Sequence, residues 1–297
     1  MESSNTYDAV NDYVRGIFGK LGIEEREFLE ELVVDRTYIR VNTLKVSLSR
    51  FLKNTELELS KTGYKYGYRV EGDVKIGKTM EYFLGYLHTQ SLSSMMPVLA
   101  FSSWKDNIEV LDAAASPGGK TSQIAQHTSN KAAITAIDKR TGRISLLVSN
   151  LERLGVVSVN VVRRDSRKLP WKNTFNKVLV DAPCSSLGSS LFALRKTTHR
   201  RVRDMARVQR KMLLSAFDAL KEGGELVYST CTITEEENEA VVANLLENRS
   251  NATIERVKLP IRHSKGLESY EFSDKVARIY PWEVESEAFF VARIKKS

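Results

Sequence analysis

Residues 110–121 read VLDAAASPGGKT, an apolar stretch that ends in an acid and turns through small residues into two glycines. The apolar stretch is typical of a strand, and the glycines with KTSQIAQHT are typical of the start of a helix. Strands and helices then alternate along the chain, with strands at AAITAIDK, VSVNVVRRD, KVLVDAP and GELVYSTC. This rhythm predicts an α/β fold with a doubly wound, mostly parallel sheet that carries helices on both faces.

The first third of the chain has a different pattern. Helical periodicity over residues 8–33 is followed by an alternating strand at 37–45, TYIRVNTLK, and by a glycine- and tyrosine-rich segment. Residues 83–101 are expected to form a helix that packs on the following sheet. The sequence therefore predicts a small N-terminal α+β domain over residues 1–75 and a larger α/β domain over residues 76–297.

Composition narrows the functional class. The chain has 45 Lys and Arg against 37 Asp and Glu, a net charge of +8, which favours a polyanionic partner such as nucleic acid. It has neither a long apolar run nor a signal peptide pattern, so we expect a cytoplasmic protein without a membrane span. Two cysteines and four scattered histidines predict neither a disulfide framework nor a metal site.

The two glycines at 118–119 suggest a ligand site. Small residues let a ligand approach the backbone, and the N-terminus of a helix offers free N–H groups with partial positive charge. The GKT sequence raises the alternative of a nucleotide P-loop, but that motif requires glycine at position 114, where this chain has alanine. A tight strand-to-helix turn without a ligand stays open as an alternative.

Three successive predicted strands end in an acid, at Asp112, Asp138 and Asp165. In a βαβ fold, an acid at the end of the second strand is placed to bind ribose hydroxyl groups. Together with the glycine turn, these acids favour a bound adenosine-containing ligand, and the missing GxGxxG pattern argues against a dinucleotide. The alternative is that the carboxylates only cap the following turns.

Both cysteines follow a strand. Cys184 lies in VDAPCSSLG (180–188), and Cys231 lies in YSTCT after the next predicted strand. Free cysteines are most often small buried apolar residues, yet two thiols at the carboxyl ends of strands share the edge where ligands bind. A thiolate near Lys120 and a helix N-terminus would be an activated nucleophile, so we favour catalysis.

These motifs, in this order, resemble the RsmB/Nop/Sun family of S-adenosylmethionine-dependent RNA cytosine-5 methyltransferases. DAPCSS, YSTCT and LDAAASPGGKT carry the resemblance, supported by RVNTLK (40–45), GYLHTQSLSSMMP (85–97) and RIYPWEVESEAFFVARIKK (278–296). It covers most of the chain and implies a Rossmann-like class I methyltransferase sheet. Residues 1–75 resemble the family's small RNA-binding domain, and the chain is most similar to compact archaeal-type tRNA members.

The resemblance also implies roles for individual residues. Cys231 matches the nucleophile, which adds to carbon 6 of cytosine, and Cys184 matches the cysteine that helps to resolve the adduct and release RNA. Asp181 would contact the cytosine edge, and Lys120 would orient it or polarise the thiol. The implied residues for S-adenosylmethionine are Ala114, Ala115, Ser116, Pro117, Gly118, Gly119, Lys120, Asp138 (ribose), Arg143, Asp165 (adenine) and Asp181.

Residues 195–211 contain eight Lys or Arg and one acid. A solvated helix face is the simpler interpretation, but the run follows Cys184 directly and would flank the active site. With Arg163, Arg164, Arg167 and Lys168 it would form a groove for RNA phosphates. We favour tRNA over rRNA as the substrate and a monomer as the oligomeric state. A DNA cytosine methyltransferase and a non-catalytic RNA-binding protein are the alternative functions.

Overall fold

The computed structural model describes residues 10–34 and 36–297, so the predicted periodicity at residues 8–9 lies outside the described residues. Two helices come first, α1 (Asp12–Leu21) and α2 (Glu25–Val33). The side chain of Asn11 accepts a hydrogen bond from the Val14 N–H, and Gly22 ends α1 at a φ of 66°. An amide cap at the start and a left-handed glycine at the end are ordinary signals for helix boundaries.

A small antiparallel sheet follows, in the order β2-β3-β1-β4. Its elements are β1 (Thr37–Val41), α3 (Leu48–Asn54), β2 (Leu59–Lys61), β3 (Gly67–Val70), a 3₁₀ turn (Ile76–Lys78), α4 (Met80–Phe83) and β4 (Leu87–Thr89). The predicted helix over 83–101 is therefore wrong in its first half. Only its second half is helical, as α5 (Leu92–Leu99). The division at residue 75 stays a prediction, and β4 of the small sheet lies beyond it.

The larger sheet has the order β10-β12-β9-β8-β5-β6-β7, with β11 paired to β12. Its strands are β5 (Glu109–Asp112), β6 (Ala133–Asp138), β7 (Val159–Arg163), β8 (Phe175–Asp181), β9 (Leu220–Thr230), β10 (Ala252–Glu255), β11 (Ala277–Ile279) and β12 (Phe289–Lys296). The neighbouring strands β9, β8, β5, β6 and β7 run parallel to one another, and β12 is antiparallel to β9. The predicted α/β fold with a mostly parallel sheet is confirmed.

The helices that follow β5 are α6 (Gly119–His127), α7 (Thr141–Arg153), α8 (Leu191–Lys196), α9 (His199–Ala219), α10 (Glu239–Asn248) and α11 (Pro281–Val284), with a 3₁₀ turn at Ser273–Lys275. Of these, α6, α7, α9 and α10 pack on the sheet, whereas α8 and α11 pack with the N-terminal helices α1 and α2. Buried apolar side chains fill both faces of the sheet, including Val110, Leu111, Leu179 and Val227. Among the described residues, none of the helices combines the length and the apolar character that a membrane crossing requires.

Candidate active site

The turn between β5 and α6 is shaped by its two glycines. Gly118 has a φ of +105°, and a Cβ there would lie 3.1 Å from Leu147 Cδ1. A Cβ on Gly119 would lie 3.1 Å from the Nε2 atom of His88. The Ser116–Pro117 peptide bond is cis. Because only glycine tolerates that φ and that close approach, the turn presents backbone atoms at the N-terminus of α6.

Asp112 ends β5 directly beneath this turn. Its side chain accepts hydrogen bonds from the Thr121 hydroxyl at 2.7 Å and from the Ala114 N–H at 3.4 Å. Burial raises the pKa of Asp112 to about 6, because desolvation outweighs the hydrogen bond from Thr121. Asp112 therefore supports the turn from below, with a carboxyl that ionises close to neutral pH.

A cavity of about 230 Å³ opens beside the turn. It brings together many of the residues predicted from the sequence: Ala114, Ala115, Ser116, Pro117, Gly119, Lys120 and Asp181. The opposite wall was not predicted. It consists of His88, Thr89, Gln90, Ser91 and Ser94, from β4 to the start of α5, with Glu287 before β12. The small sheet thus supplies one wall of the pocket.

Asp138 and Arg143 lie together next to this turn but do not line the cavity. Arg143 Nε is 3.2 Å from Asp138 Oδ2, and Arg143 Nη2 donates to the Ser116 carbonyl at 2.5 Å. The Ser116 hydroxyl donates in return to the Arg143 carbonyl at 2.8 Å. Arg143 therefore ties the end of β6 to the glycine turn. The predicted contacts of Asp138 and Arg143 with the cofactor stay predictions.

Asp165 lies two residues beyond the end of β7 and is engaged by cations. Arg167 Nη2 is 2.5 Å and Lys139 Nζ is 2.9 Å from Asp165 Oδ2. Hydrogen bonds from Arg167 hold the pKa of Asp165 far below its usual range. Asp165 is therefore an ionised acceptor at neutral pH, and its predicted contact with adenine stays a prediction.

The two thiols meet at the ends of adjacent parallel strands. β8 pairs with β9 so that Asp181 lies opposite Ser229; Cys184 lies three residues beyond β8, and Cys231 directly follows β9. The Cys184 Sγ and Cys231 Sγ atoms are 3.0 Å apart, and both cysteines are free. Gly188 lets the Cys184 loop pack closely on the backbone, since a Cβ there would lie 2.6 Å from the Ala288 carbonyl oxygen and 3.0 Å from the Cys231 carbonyl oxygen. The structure thus brings both predicted catalytic thiols into one site.

Their environments assign the shared proton. Cys184 is buried, and its hydrogen bond to Cys231 together with desolvation raises the pKa of Cys184 well above 9.0. Cys231 is partly exposed, and the hydrogen bond from Cys184 lowers the pKa of Cys231 below 9.0. Cys231 is therefore the thiol of the pair that ionises first, and the thiolate is the reactive form of a cysteine.

Lys120 and Asp181 form an ion pair across the cavity. Lys120 Nζ is 2.8 Å from Asp181 Oδ2 and donates to the Ser94 hydroxyl at 2.8 Å. The Ser229 hydroxyl donates to Asp181 Oδ1 at 2.7 Å. Lys120 thus orients Asp181, whereas the largest influence that lowers the pKa of the Cys231 thiol comes from Cys184.

Sequence reasoning missed a buried bracket at residues 237–239. Glu237 accepts from the Ser185 N–H at 2.9 Å, next to Cys184. Asn238 donates to the Thr232 carbonyl at 2.9 Å, next to Cys231, and Glu239 pairs with Arg278. All three bracket residues are fully buried. The available signal was the acidic run EEENE, which directly follows YSTCTIT.

The comparisons with known proteins agree with this geometry. The family model for 16S rRNA methyltransferase RsmB/F matches residues 99–295. The chain is 38% identical over 276 residues to the tRNA (cytosine(49)-C(5))-methyltransferase of Pyrococcus abyssi, covering 88% of each chain. The chain belongs to the RsmB/F methyltransferase family. The predicted family, and with it an S-adenosylmethionine-dependent RNA cytosine methyltransferase, is confirmed.

Other RsmB/F relatives are longer. The chain is 38% identical over 278 residues to ribosomal RNA small subunit methyltransferase F of Aliivibrio salmonicida, and it spans 58% of that protein. Among solved structures, NSun6 from Pyrococcus horikoshii with SFG is 25% identical, with a TM-score of 0.87 over 97% of this chain and 99% of that one. A methyltransferase homologue from the same organism is 29% identical, with a TM-score of 0.81 over 97% and 100%.

Proposed function

We propose that this enzyme methylates carbon 5 of a cytosine in tRNA through a covalent adduct of the RNA with Cys231. The observation that carries the proposal is the pair of sulfur atoms 3.0 Å apart at the ends of β8 and β9. A structural role needs only one buried thiol to fill space, whereas here a buried thiol contacts a partly exposed one.

The residues around the glycine turn fit S-adenosylmethionine. Gly119 allows close approach at the N-terminus of α6, and the cavity beside it is bounded by Lys120 and Asp181. Free N–H groups at that helix end suit an anionic group such as the carboxylate of the methionine part. Asp138 at the end of β6 and Asp165 just beyond β7 offer carboxylate acceptors for the hydroxyl and amino groups of adenosine. Bound there, the cofactor supplies the methyl group.

The two thiols divide the chemistry on the base. The Cys231 thiolate adds to carbon 6 of cytosine, which makes carbon 5 electron-rich enough to take up the methyl group. A base then takes the proton from carbon 5, the electron pair of that C–H bond re-forms the double bond between carbons 5 and 6, and Cys231 leaves as a thiolate. Cys184 lies 3.0 Å from the departing sulfur, so we assign it to this release step. Addition and release thus use neighbouring but different sulfur atoms.

Asp181 is the group that recognises the cytosine ring in this proposal. It ends β8, lines the cavity, and is held by Lys120 and Ser229. A carboxylate accepts hydrogen bonds from the cytosine amino group and from a protonated ring nitrogen, and that protonation assists the attack at carbon 6. Lys120, whose Nζ is 2.8 Å from Asp181 Oδ2, orients the carboxylate for this contact.

The outer face of α9 supports contact with RNA. Its exposed cations are Arg200, Arg201, Arg203, Arg207 and Lys211, and further exposed cations follow β7 at Arg163, Arg164 and Lys168. The inner face of α9 reaches the active site, because Gln209 donates to the Pro183 carbonyl at 2.9 Å. A base must leave its stack before a thiol can attack it, and phosphate contacts beside the pocket would hold the opened strand.

We favour tRNA because the chain spans 88% of the tRNA enzyme of P. abyssi but 58% of the rRNA enzyme of A. salmonicida. An rRNA substrate stays the second candidate, since the family model is that of a 16S rRNA methyltransferase. A monomeric enzyme that acts in the cytoplasm stays our prediction for assembly and location.

The test is methyl transfer from labelled S-adenosylmethionine to tRNA and, separately, to small ribosomal subunits, followed by digestion to nucleosides. We expect labelled 5-methylcytidine from tRNA with the wild type and none with Cys231→Ala. Label in ribosomal RNA alone would transfer the proposal to the second candidate. Label in a nucleoside other than 5-methylcytidine, or no transfer to either RNA, would refute it.

A further inference from the structure

His88 is a buried imidazole in the wall of the cofactor cavity. It lies in β4, opposite Arg40 of β1 in the small sheet, and it is 6% exposed. Its Nε2 atom is directed at the glycine turn, since a Cβ on Gly119 would lie 3.1 Å from it. A residue of the small sheet thus reaches the place where a ligand would approach the N-terminus of α6.

The tautomer of His88 follows from its neighbour Arg153. Arg153 Nη2 is 3.3 Å from His88 Nδ1, and a guanidinium group can only donate, so Nδ1 accepts and Nε2 carries the proton. Burial, with the charges of Arg40 and Arg153, lowers the pKa of His88 to about 3, so the ring is neutral. Within the described part of the chain, Nε2–H has no hydrogen-bond partner, and the ring lines the cavity.

Arg40 places an unbalanced positive charge behind this donor. It is completely buried and donates to the Gly119 carbonyl at 3.2 Å, to the Ser122 hydroxyl at 2.7 Å, and to the side-chain oxygens of Gln90 and Gln126. All of these acceptors are neutral, and no carboxylate of the described residues pairs with Arg40. Buried cations are normally paired, so this charge favours an anion in the adjacent cavity.

We propose that His88 binds the carboxylate of the methionine part of S-adenosylmethionine through its Nε2–H. Arg40 and Arg153 supply the positive field behind the ring, and the N-terminus of α6 approaches the same group from the other wall. The small sheet is thereby a direct part of the cofactor site. The proposal rests on S-adenosylmethionine being the methyl donor and names the residue that holds its acidic end.

Calorimetric titration with S-adenosylmethionine and with decarboxylated S-adenosylmethionine tests the contact without any turnover. His88→Asn keeps an acceptor for Arg153 but withdraws the donor, whereas His88→Gln keeps a donor near the position of Nε2. We expect His88→Asn to lower the affinity for S-adenosylmethionine by about tenfold and the affinity for the decarboxylated compound by less than about twofold. His88→Gln should bind both compounds with affinities close to those of the wild type. Thermal unfolding of both variants checks that the buried site has kept its structure.

The outcomes separate this proposal from the function on which it rests. Equal weakening of both compounds by His88→Asn, or no weakening of either, would refute the carboxylate contact while leaving the methyl donor in place. If His88→Asn weakened the binding of tRNA but left the affinity for S-adenosylmethionine unchanged, the His88 Nε2–H would be assigned to an RNA phosphate. That result would also overturn the proposal. A wild type that binds neither compound would instead refute the methyl donor itself.

Discussion

The loops that carry Cys184 and Cys231 leave adjacent parallel strands at the same edge of the sheet, yet they surround their sulfur atoms differently. The Cys184 loop is buried and rests on the carboxylate of Glu237 through the Ser185 N–H. Cys231 is partly exposed, and its hydrogen bond with Cys184 lowers the pKa of Cys231. Two identical side chains therefore have opposite shifts in pKa. The comparison teaches that burial and one hydrogen bond are enough to separate a nucleophile from its partner.

Removing the partly exposed thiol of Cys231 should have the largest effect on catalysis. Cys231→Ala deletes the only proposed nucleophile, so kcat for methyl transfer is expected to fall by at least about 10³-fold, as for other nucleophiles. Affinity for S-adenosylmethionine should stay within about twofold, because Cys231 does not line the cofactor cavity. Single-turnover assays with calorimetry measure both. Residual activity near that of the wild type would contradict the assignment.

Asp181→Asn tests the carboxylate that lies at the cavity between Lys120 and Ser229. The change keeps the shape but leaves Lys120 without its anionic partner at 2.8 Å, and it replaces an acceptor with a donor toward the base. We expect kcat to fall by roughly 10²-fold because charge stabilisation at the ring is lost. The matched control is Ser229→Ala, which removes one hydrogen bond to Asp181 and should cost about tenfold or less. A larger loss in the control would overturn this ranking.

Glu237→Ala should loosen the Cys184 loop more than the Cys231 loop. It leaves the Ser185 N–H and the Gln209 amide without their acceptor, and we expect the free energy of unfolding to fall by roughly 2–4 kcal/mol. Glu237→Gln can still accept hydrogen bonds from the same donors, so its free energy of unfolding should fall by less. Urea denaturation of both variants measures the difference. Equal loss for the two would show that charge, and not the acceptor, matters there.

The smallest expected effect is on the pKa of Cys231, which is measured in two variants of Cys184. Cys184→Ser keeps a hydroxyl donor beside Cys231, whereas Cys184→Ala removes it. The donor lowers the pKa of Cys231, so alkylation by iodoacetamide should begin at lower pH in Cys184→Ser than in Cys184→Ala. Both variants have a single thiol, so the pH profiles report Cys231 alone. Superimposed profiles would mean that Cys184 has no influence on the nucleophile.

Much of this site could be predicted from the sequence because it depends on strand order. Carboxyl ends of neighbouring parallel strands share one edge, so Asp181, Cys184 and Cys231 were expected to lie together. Their separation was not predictable, since it depends on loops closed by contacts such as Gly188 with Cys231. Local pattern can place residues at an edge but cannot give a distance between sulfur atoms.

The errors have a common physical cause in long-range pairing. Residues 87–89 lie in an apolar segment that suits a helix, but they form β4 because they pair with residues 39–41 of β1. The acidic bracket at 237–239 was missed because its partners, including Ser185 and Arg278, are distant in sequence. His88 lies within GYLHTQSLSSMMP (85–97), but this pattern gave the side chain no role. Its proposed role depends on Arg153 at the end of α7, which fixes the tautomer of the His88 ring.

The most direct test of the account incubates wild type, Cys184→Ala and Cys231→Ala with labelled S-adenosylmethionine and tRNA, followed by a denaturing protein gel. The account predicts a stable, labelled protein–RNA band with Cys184→Ala, because Cys231 attacks and the release step is lost. It predicts no such band with Cys231→Ala. A stable band with Cys231→Ala and none with Cys184→Ala would reverse the roles of the two thiols and contradict the account.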